Sequence, residues 1–302
     1  MSTMQRETQL ASHTVDEPDS KNKFPKKTSK TLKYMRGAFA ALLMSLASTV
    51  AAAENAETEP VRHPGTLVVV GGGDLPDEVS DLFFKLAGDD ESEIALIPTA
   101  SVYADDAKDH LEYLLKNHAR ARIVHILHTY DRAKADDPAF SKPLETATGV
   151  WIAGGRQQLL SDAYAGTLVQ KRLHEVLQRG GVIGGTSAGA SILSNPAIID
   201  GTNTKANTGP GFGLLQINGR IPIVDQHFSE RNRKERLLRL MTVNPTRIGF
   251  GIDEKTALIK SGNRMSVLGR GGVSLFSSDW KQVFHTGEDI VIPSLQVAGT
   301  EK

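Results

Sequence analysis

The stretch Val182-Ile-Gly-Gly-Thr-Ser187-Ala-Gly-Ala-Ser-Ile-Leu193 passes from apolar residues, through a cluster of small ones around a single hydroxyl, to apolar residues at helical spacing. That order predicts a strand, a sharp turn and a helix, with Ser187 inside Gly185-Thr-Ser-Ala-Gly189 as a G-x-S-x-G nucleophile elbow. A serine on so tight a turn has strained backbone angles, and a side chain two positions away would strike the neighbouring strand or helix. Glycine at 185 and 189 removes those collisions. The turn lifts the hydroxyl above the strand end and sets it at a helix N-terminus, where free N–H groups and the helix dipole favour the oxyanion of acyl transfer. Ser187 is therefore the candidate nucleophile. A glycine-rich turn that only packs a helix on a strand carries the same pattern, so partner residues elsewhere have to decide.

Outward from the elbow, apolar β-rich runs recur at Thr66–Val70, Ile94–Ile97, Arg122–Leu127, Val150–Ala153 and Val182–Ile183. Between them Glu78–Leu86, Ala104–Leu115 and Thr167–Leu177 carry apolar residues three and four apart, as helices do. Continuous apolar strands alternating with helices predict a mostly parallel sheet covered on both faces, an α/β/α sandwich. In such sheets reactive groups collect at the carboxyl ends of the strands. Three glycine or small-residue clusters fall there. Gly71-Gly-Gly-Asp-Leu-Pro-Asp77 lacks the lysine and the spacing of a phosphate loop, so a turn beside the site is the expectation. Ile97-Pro-Thr-Ala-Ser101 reads as a plain loop. Ala153-Gly-Gly-Arg-Gln157 can expose the N–H of Gly155 as a second oxyanion donor beside Ala188 N–H, or simply open a helix.

The chain has 302 residues, no cysteine, and equal numbers of acidic and basic side chains. Nothing in it points to a disulfide scaffold, a thiolate metal site or a nucleic-acid partner. Residues 1–34 are polar, without apolar periodicity, and read as disordered. Lys30, Lys33 and Arg36 then lead into Gly37–Ala53, an apolar run closing on an A-x-A pattern, so residues 1–53 read as a polar leader and a cleaved signal peptide. The competing membrane anchor is at the short limit and diluted by Ser, Thr and Ala. The expected location is secreted or periplasmic, with no stable membrane association after cleavage; the long polar lead leaves Met35 open as the true start. Residues 54–63 are then a linker, 64–292 a single catalytic domain, and 293–302 a tail without signal.

A serine hydrolase needs a histidine. Of the nine, His125 and His128 lie at a β-rich run, and His110, His118 and His174 on helical faces, settings where histidines are commonly structural. His227 differs, because Ile221-Pro-Ile-Val-Asp-Gln-His227 is an apolar strand that turns polar at its end. Ile248-Gly-Phe-Gly-Ile-Asp-Glu254 repeats the pattern, and a carboxylate there can fix the imidazole tautomer and stabilise the imidazolium. Between them Ser229–Met241 reads as a helix capped by Ser229. Arg233 and Arg236 share a face that can meet a substrate carboxylate, while Glu235 offers i,i+4 partners that would make the run a solvated face. Met265–Leu268 and Val273–Phe276 are expected to complete the sheet.

Taken in order, the motifs at 71–77, 97–100, 154–157, 184–189, 225–227 and 251–254 resemble the cyanophycinase-like serine exopeptidases, which are grouped with aspartyl dipeptidase on a class I glutamine-amidotransferase-like fold. The resemblance covers nearly all of residues 64–280. It implies Ser187 as nucleophile, His227 as base and Glu254 as orienting acid, with Asp253 the lesser choice. It also implies that Gln157, Asp225, Gln226, Arg231, Arg233 and Arg236 line a pocket for a β-linked aspartyl-arginine unit. Arg156 departs from the family, whose intracellular members usually carry Asn or Asp there. The expected activity is hydrolysis of amide bonds beside aspartyl residues, with cyanophycin cut to β-Asp-Arg dipeptides. Isoaspartyl or α-aspartyl dipeptides, and a catalytically silent binding protein on the same fold, are the alternatives. The partner expected is thus a peptide or polymer substrate; no metal or organic cofactor is implied, and the resemblance leans toward a homodimer.

Overall fold

The computed structural model describes residues 64–105, 123–277 and 281–292. The leader, the signal-like run, the tail and most of the helix expected over Ala104–Leu115 lie outside them. Thirteen strands are present among the described residues. They are β1 (Thr66–Val70), β2 (Glu93–Ile97), β3 (Ile123–Ile126), β4 (Gly149–Ile152), β5 (Val182–Thr186), β6 (Ala197–Gly201), β7 (Ala206–Gly209), β8 (Ile223–Gln226), β9 (Gly249–Ile252), β10 (Thr256–Ser261), β11 (Arg264–Gly269), β12 (Gly272–Phe276) and β13 (Lys281–His285). The helices are α1 (Asp77–Ala87), α2 (Arg132–Ala135), α3 (Pro138–Ser141), α4 (Gln157–Tyr164), α5 (Leu168–Gln178), α6 (Ala188–Ser191) and α7 (Lys234–Val243), with two short 3-10 turns.

The main sheet has seven strands in the order β11-β10-β1-β5-β4-β2-β3. The five from β1 to β3 run parallel, as their unbroken apolar sequences predict, and β10 and β11 add an antiparallel edge. Alternation along each strand divides the core between two faces. Leu67, Val69, Val150, Ile152 and Ile183 meet Leu160 and Ala163 of α4 and Leu173 and Val176 of α5. Val68, Val70, Ile94, Leu96 and Trp151 meet Val79, Phe83 and Phe84 of α1 on the other side. Each such side chain contributes about 1.5–3 kcal/mol when fully buried. The frame holding the strand ends is thus rigid on both sides.

A second sheet, β13-β12-β9-β8, carries the parallel pair β8 and β9, and β6 and β7 form a separate hairpin. One expectation is corrected here. Met265–Leu268 does join the main sheet as part of β11, but Val273–Phe276 is in β12 of the second sheet. The cause is local. Asp253, just past β9, takes Gly272 in a two-way clasp, its N–H donating to the Gly272 carbonyl at 3.1 Å and its carboxylate accepting the Gly272 N–H at 3.0 Å. The chain turns between β11 and β12 and pairs with β9 instead.

Candidate active site

The end of β1 organises the site. Three successive carbonyls, those of Val70, Gly71 and Gly72, accept the N–H groups of Ser187 (3.0 Å), His227 (2.7 Å) and Lys255 (2.8 Å). One short glycine loop therefore ties together β5, the end of β8 and the residue following Glu254. Its glycines are required by space: a Cβ on Gly72 would stand 2.3 Å from the imidazole of His227. The Gly71–Asp77 cluster is a turn against the site, the place expected for it.

Ser187 adopts φ 52 and ψ −110 between β5 and α6, and His227 adopts φ 45. Both are positive angles that side-chain-bearing residues rarely take, held here by the surrounding packing. The elbow glycines meet the collisions anticipated from their spacing. A Cβ on Gly185 would be 2.3 Å from the Gly189 carbonyl oxygen, and one on Gly189 would be 2.2 Å from that of Ile152. The resulting line of side chains is continuous. Ser187 Oγ lies 2.8 Å from His227 Nε2, and His227 Nδ1 lies 2.5 Å from Glu254 Oε1. With Nδ1–H donating to the carboxylate, Nε2 is the acceptor for the serine hydroxyl. Burial pushes the imidazole below its ordinary range, Glu254 pulls it upward, and the nearby Arg231 and Arg233 cations push it down again. A neutral imidazole near pH 7 follows. Glu254 is itself steadied through its N–H, which donates to Glu230 at 3.1 Å. Asp253, the other carboxylate of the pair, is occupied with Ser229 N–H and Gly272 N–H and is structural.

The Gly154–Gly155 turn abuts the nucleophile, since a Cβ on Gly154 would be 3.2 Å from that of Ser187. Gly155 has φ +135 and is wedged against the Ala100 carbonyl, which accepts the Arg156 N–H at 2.8 Å. Among the described residues, neither Gly155 N–H nor Ala188 N–H has a backbone acceptor. The loop at 97–101 is thus the buttress of this turn. Thr99 fixes it by bonding Tyr164 Oη at 2.7 Å and His128 Nδ1 at 2.9 Å. His174 contacts the Phe212 carbonyl at 2.9 Å, so His128 and His174 both serve packing.

A cleft of about 270 Å³ shares Gly155 with the turn that abuts the serine, and its walls include Arg156, Gln157, Asp200, Arg231, Arg233 and Arg236. The basic segment differs from its sequence reading in two ways. Its helix starts at Lys234, and Ser229 does not cap it. The positive φ of His227 and Asn232 winds residues 227–233 into turns closed by Arg231 N–H to His227 O and Arg233 N–H to Phe228 O. Nor are Arg233 and Arg236 on a solvated face, being 7 % and 2 % exposed. Arg236 grips the fully buried Asp225 with Nε (2.7 Å) and Nη2, and gives Nη1 to the Thr202 carbonyl at 3.0 Å. Arg233 gives Nη1 to both oxygens of Gln226 at 2.6 Å, and burial, with Arg236 alongside, lowers its guanidinium to about 10. Burial raises the Asp225 carboxyl, which Arg236 counters. Arg231 and Gln157 are the members of the predicted set that stand more openly in the cleft.

Sequence reasoning missed the β6–β7 hairpin, which supplies Ile199, Asp200 and Gly201 to the cleft. The signal was there in Asp200-Gly201 followed by Thr-Asn-Thr, a turn sequence flanked by β-capable residues. It also missed Glu230, which no pattern singled out.

The model for peptidase family S51 matches residues 55–268. A cyanophycinase of Synechococcus elongatus is 33% identical over 220 residues, spanning 70% of this chain and 68% of the relative. One from Geminocystis herdmanii is 31% identical over 217 residues, 70% and 79% of the two chains. A peptidase E of Shewanella oneidensis is 31% identical over 150 residues, 46% of this chain and 61% of its own. Among solved structures, a peptidase from an acI-B1 actinobacterium superposes with a TM-score of 0.63 at 26% identity, covering 76% of this chain and 98% of that one.

Proposed function

The chain belongs to peptidase family S51, and from that premise we propose that it is an exopeptidase cutting amide bonds beside aspartyl residues, with cyanophycin, released as β-Asp-Arg dipeptides, as its substrate. The observation that carries the reading is the continuous Ser187–His227–Glu254 line, with an arginine-walled cleft next along the Gly154–Gly155 turn that abuts the serine. Ser187 Oγ attacks the scissile carbonyl as His227 Nε2 takes its proton, and Glu254 stabilises the imidazolium at Nδ1. Ala188 and Gly155 N–H groups receive the carbonyl oxygen as it becomes negative. His227 then protonates the departing amine, and the acyl group on Ser187 is released by a water that His227 deprotonates. Arg231 and Gln157 hold a carboxylate of the substrate, which in a β-Asp-Arg unit is that of the arginine, while the Asp225–Arg236 pair sets the floor on which Gln226 and Arg233 are placed.

The relatives named for cyanophycin support the polymer as substrate. The small cleft volume also suits a single dipeptide, which favours isoaspartyl dipeptides as a second reading. Incubating the purified protein with insoluble cyanophycin, isoaspartyl dipeptides and α-aspartyl dipeptides, with products identified by mass, separates the two. Release of β-Asp-Arg from the polymer is expected, and cleavage confined to α-aspartyl dipeptides would overturn the proposal. The signal-like run of residues 37–53 makes export part of it, with the mature chain beginning close to Glu54. N-terminal sequencing of protein recovered outside the cytoplasm checks this, and a start at Met1 or Met35 would contradict it.

A further inference from the structure

Among the described residues, the carboxylate of Glu254 has one hydrogen-bond donor, Nδ1 of His227. On its other side stands Gly73, which has no side chain to hold it; a Cβ there would lie 3.0 Å from Oε2. No second donor therefore fixes where this carboxylate points, and its direction has to come from the backbone that carries it. That backbone is tied at three successive N–H groups. Asp253 N–H donates to the Gly272 carbonyl at 3.1 Å and Lys255 N–H to the Gly72 carbonyl at 2.8 Å. The middle one, that of Glu254 itself, has a side chain for its acceptor, Oε2 of Glu230 at 3.1 Å.

The reason lies in how the β8–β9 ladder ends. The two strands are parallel, with Gln226 opposite Ile252, and the pairing runs on for one more bond, from Phe228 N–H to the Ile252 carbonyl at 3.1 Å. In a parallel ladder the residue that donates in this way accepts the N–H two places further along its neighbour. For Phe228 that is the N–H of Glu254. The Phe228 carbonyl is already taken, because the turn that follows His227 closes on it through Arg233 N–H at 3.0 Å. Two side chains continue the pairing in its place. Asp253 Oδ1 accepts Ser229 N–H at 3.1 Å, and Glu230 returns the exchange at Glu254 N–H. The turn bearing the base and the turn bearing the acid are thus clasped in both directions.

We infer that Glu230 is a positioning residue of the triad: standing in for the Phe228 carbonyl at the Glu254 N–H, it holds Glu254 in line with His227 Nδ1. This deepens the hydrolytic reading above and rests on it. Glu230 is exposed, so water takes over the N–H when the carboxylate is removed. The fold then loses little, while the acid loses the contact that aims it.

Glu230→Ala and Glu230→Gln, compared with the unaltered chain, test this. Phosphonylation of Ser187 by a fluorophosphonate reports the triad whatever the natural substrate is. Glu230→Ala should slow it roughly 10–100-fold, the scale of a small misplacement of a catalytic group. Glu230→Gln should recover most of the rate, because an amide oxygen accepts the same N–H, at about half the strength of a carboxylate. Both melting temperatures should stay within about 2 °C of the original. The imidazole of His227, titrated by NMR, supplies a readout that needs no reaction. Glu254 pulls it upward against burial, Arg231 and Arg233, so a misaligned Glu254 should let its pKa fall in Glu230→Ala and not in Glu230→Gln. Unchanged rates and titration in Glu230→Ala would overturn the role, as would a melting temperature that falls in step with the rate. An equal fall of the imidazole pKa in both variants would also overturn it, by showing that the charge of Glu230 acts across space. Absence of hydrolysis of every aspartyl peptide by the unaltered chain, with the difference between the two variants intact, would instead overturn the aspartyl-peptide reading and leave the positioning role standing.

Discussion

Asp225 and His227 are two residues apart at the end of β8, and each meets a charged partner, yet the two pairs are built for different ends. Asp225 is fully buried and gripped by two nitrogens of Arg236, itself 2 % exposed. His227 sits at φ 45, and its partner Glu254 keeps 30 % of its side chain in solvent. The first pair is a closed ionic contact, both members buried, with the remaining Arg236 nitrogen given to the Thr202 carbonyl and Arg233 Nη1 3.6 Å from the same carboxylate. The second keeps a neutral base poised against a hydroxyl, with burial and two arginines opposing its protonation. A charge pair at a strand end is therefore not by itself a catalytic sign; the unusual backbone and the free third partner, Ser187, make the distinction.

The largest effect should come from removing that third partner. Ser187→Ala is expected to lower kcat by at least two orders of magnitude while leaving the melting temperature in place. Near-normal turnover would put the chemistry elsewhere and erase the contrast. Glu254→Gln should follow, with kcat reduced up to about 10⁴-fold, because an amide no longer enforces the Nδ1–H tautomer or stabilises the imidazolium. Its kinetic loss should far exceed any change in stability.

Arg236→Ala is predicted to show the reverse ratio. It leaves the Asp225 carboxylate buried without its guanidinium, which costs about 3–5 kcal/mol of stability, and the melting temperature of a domain of this size should fall on the order of 10 °C. The double variant with Asp225→Ala should lose less than the sum of the two single changes. Additive losses would mean that the two side chains act independently and that the closed pair is not the structural unit described.

The pH profile sharpens the comparison further. His227 must be neutral to accept the serine proton, so kcat/KM should fall as pH drops through a pKa below the ordinary 6.5 of histidine. The stability contributed by the neutral imidazole has the same sign, being complete above about 6.5 and lost as pH falls through the lowered value. Arg231→Gln removes one of the cations that oppose protonation, and the acid limb should move upward in pH. A limb that stays in place would show that Arg231 acts on substrate alone.

How far the sequence could carry these distinctions depends on what each feature needs. The parallel strands, the elbow and the polar ends of β8 and β9 were legible because each follows from local composition: unbroken apolar runs, paired glycines, and a hydrophobic strand turning polar. The closed nature of the Asp225–Arg236 pair was not. Eleven positions separate the two, and a helix-like charge run looks the same whether it faces water or a buried acid. The left-handed backbone at Asn232, which delays α7 to Lys234, and the Asp253–Gly272 clasp, which diverts β12, likewise depend on contacts that no single segment announces.

The smallest effect is the most useful control. Arg239 lies on α7 with Arg236, but its side chain is 68% exposed and pairs with Glu235 one turn back, at 2.5 Å. Exposed i,i+4 pairs in helices contribute about 0.3–0.5 kcal/mol, because water and salt screen the attraction and two long side chains must be held still. Arg239→Ala should therefore change the melting temperature by about 1–2 °C and leave kcat/KM unaltered. Raising the salt concentration should remove even that small difference, while the loss in Arg236→Ala should persist, since a buried pair is screened much less. If the two variants proved equally destabilised, burial would not be what separates the arginines of α7, and the closed ionic contact beneath the cleft would be no stronger than a surface pair.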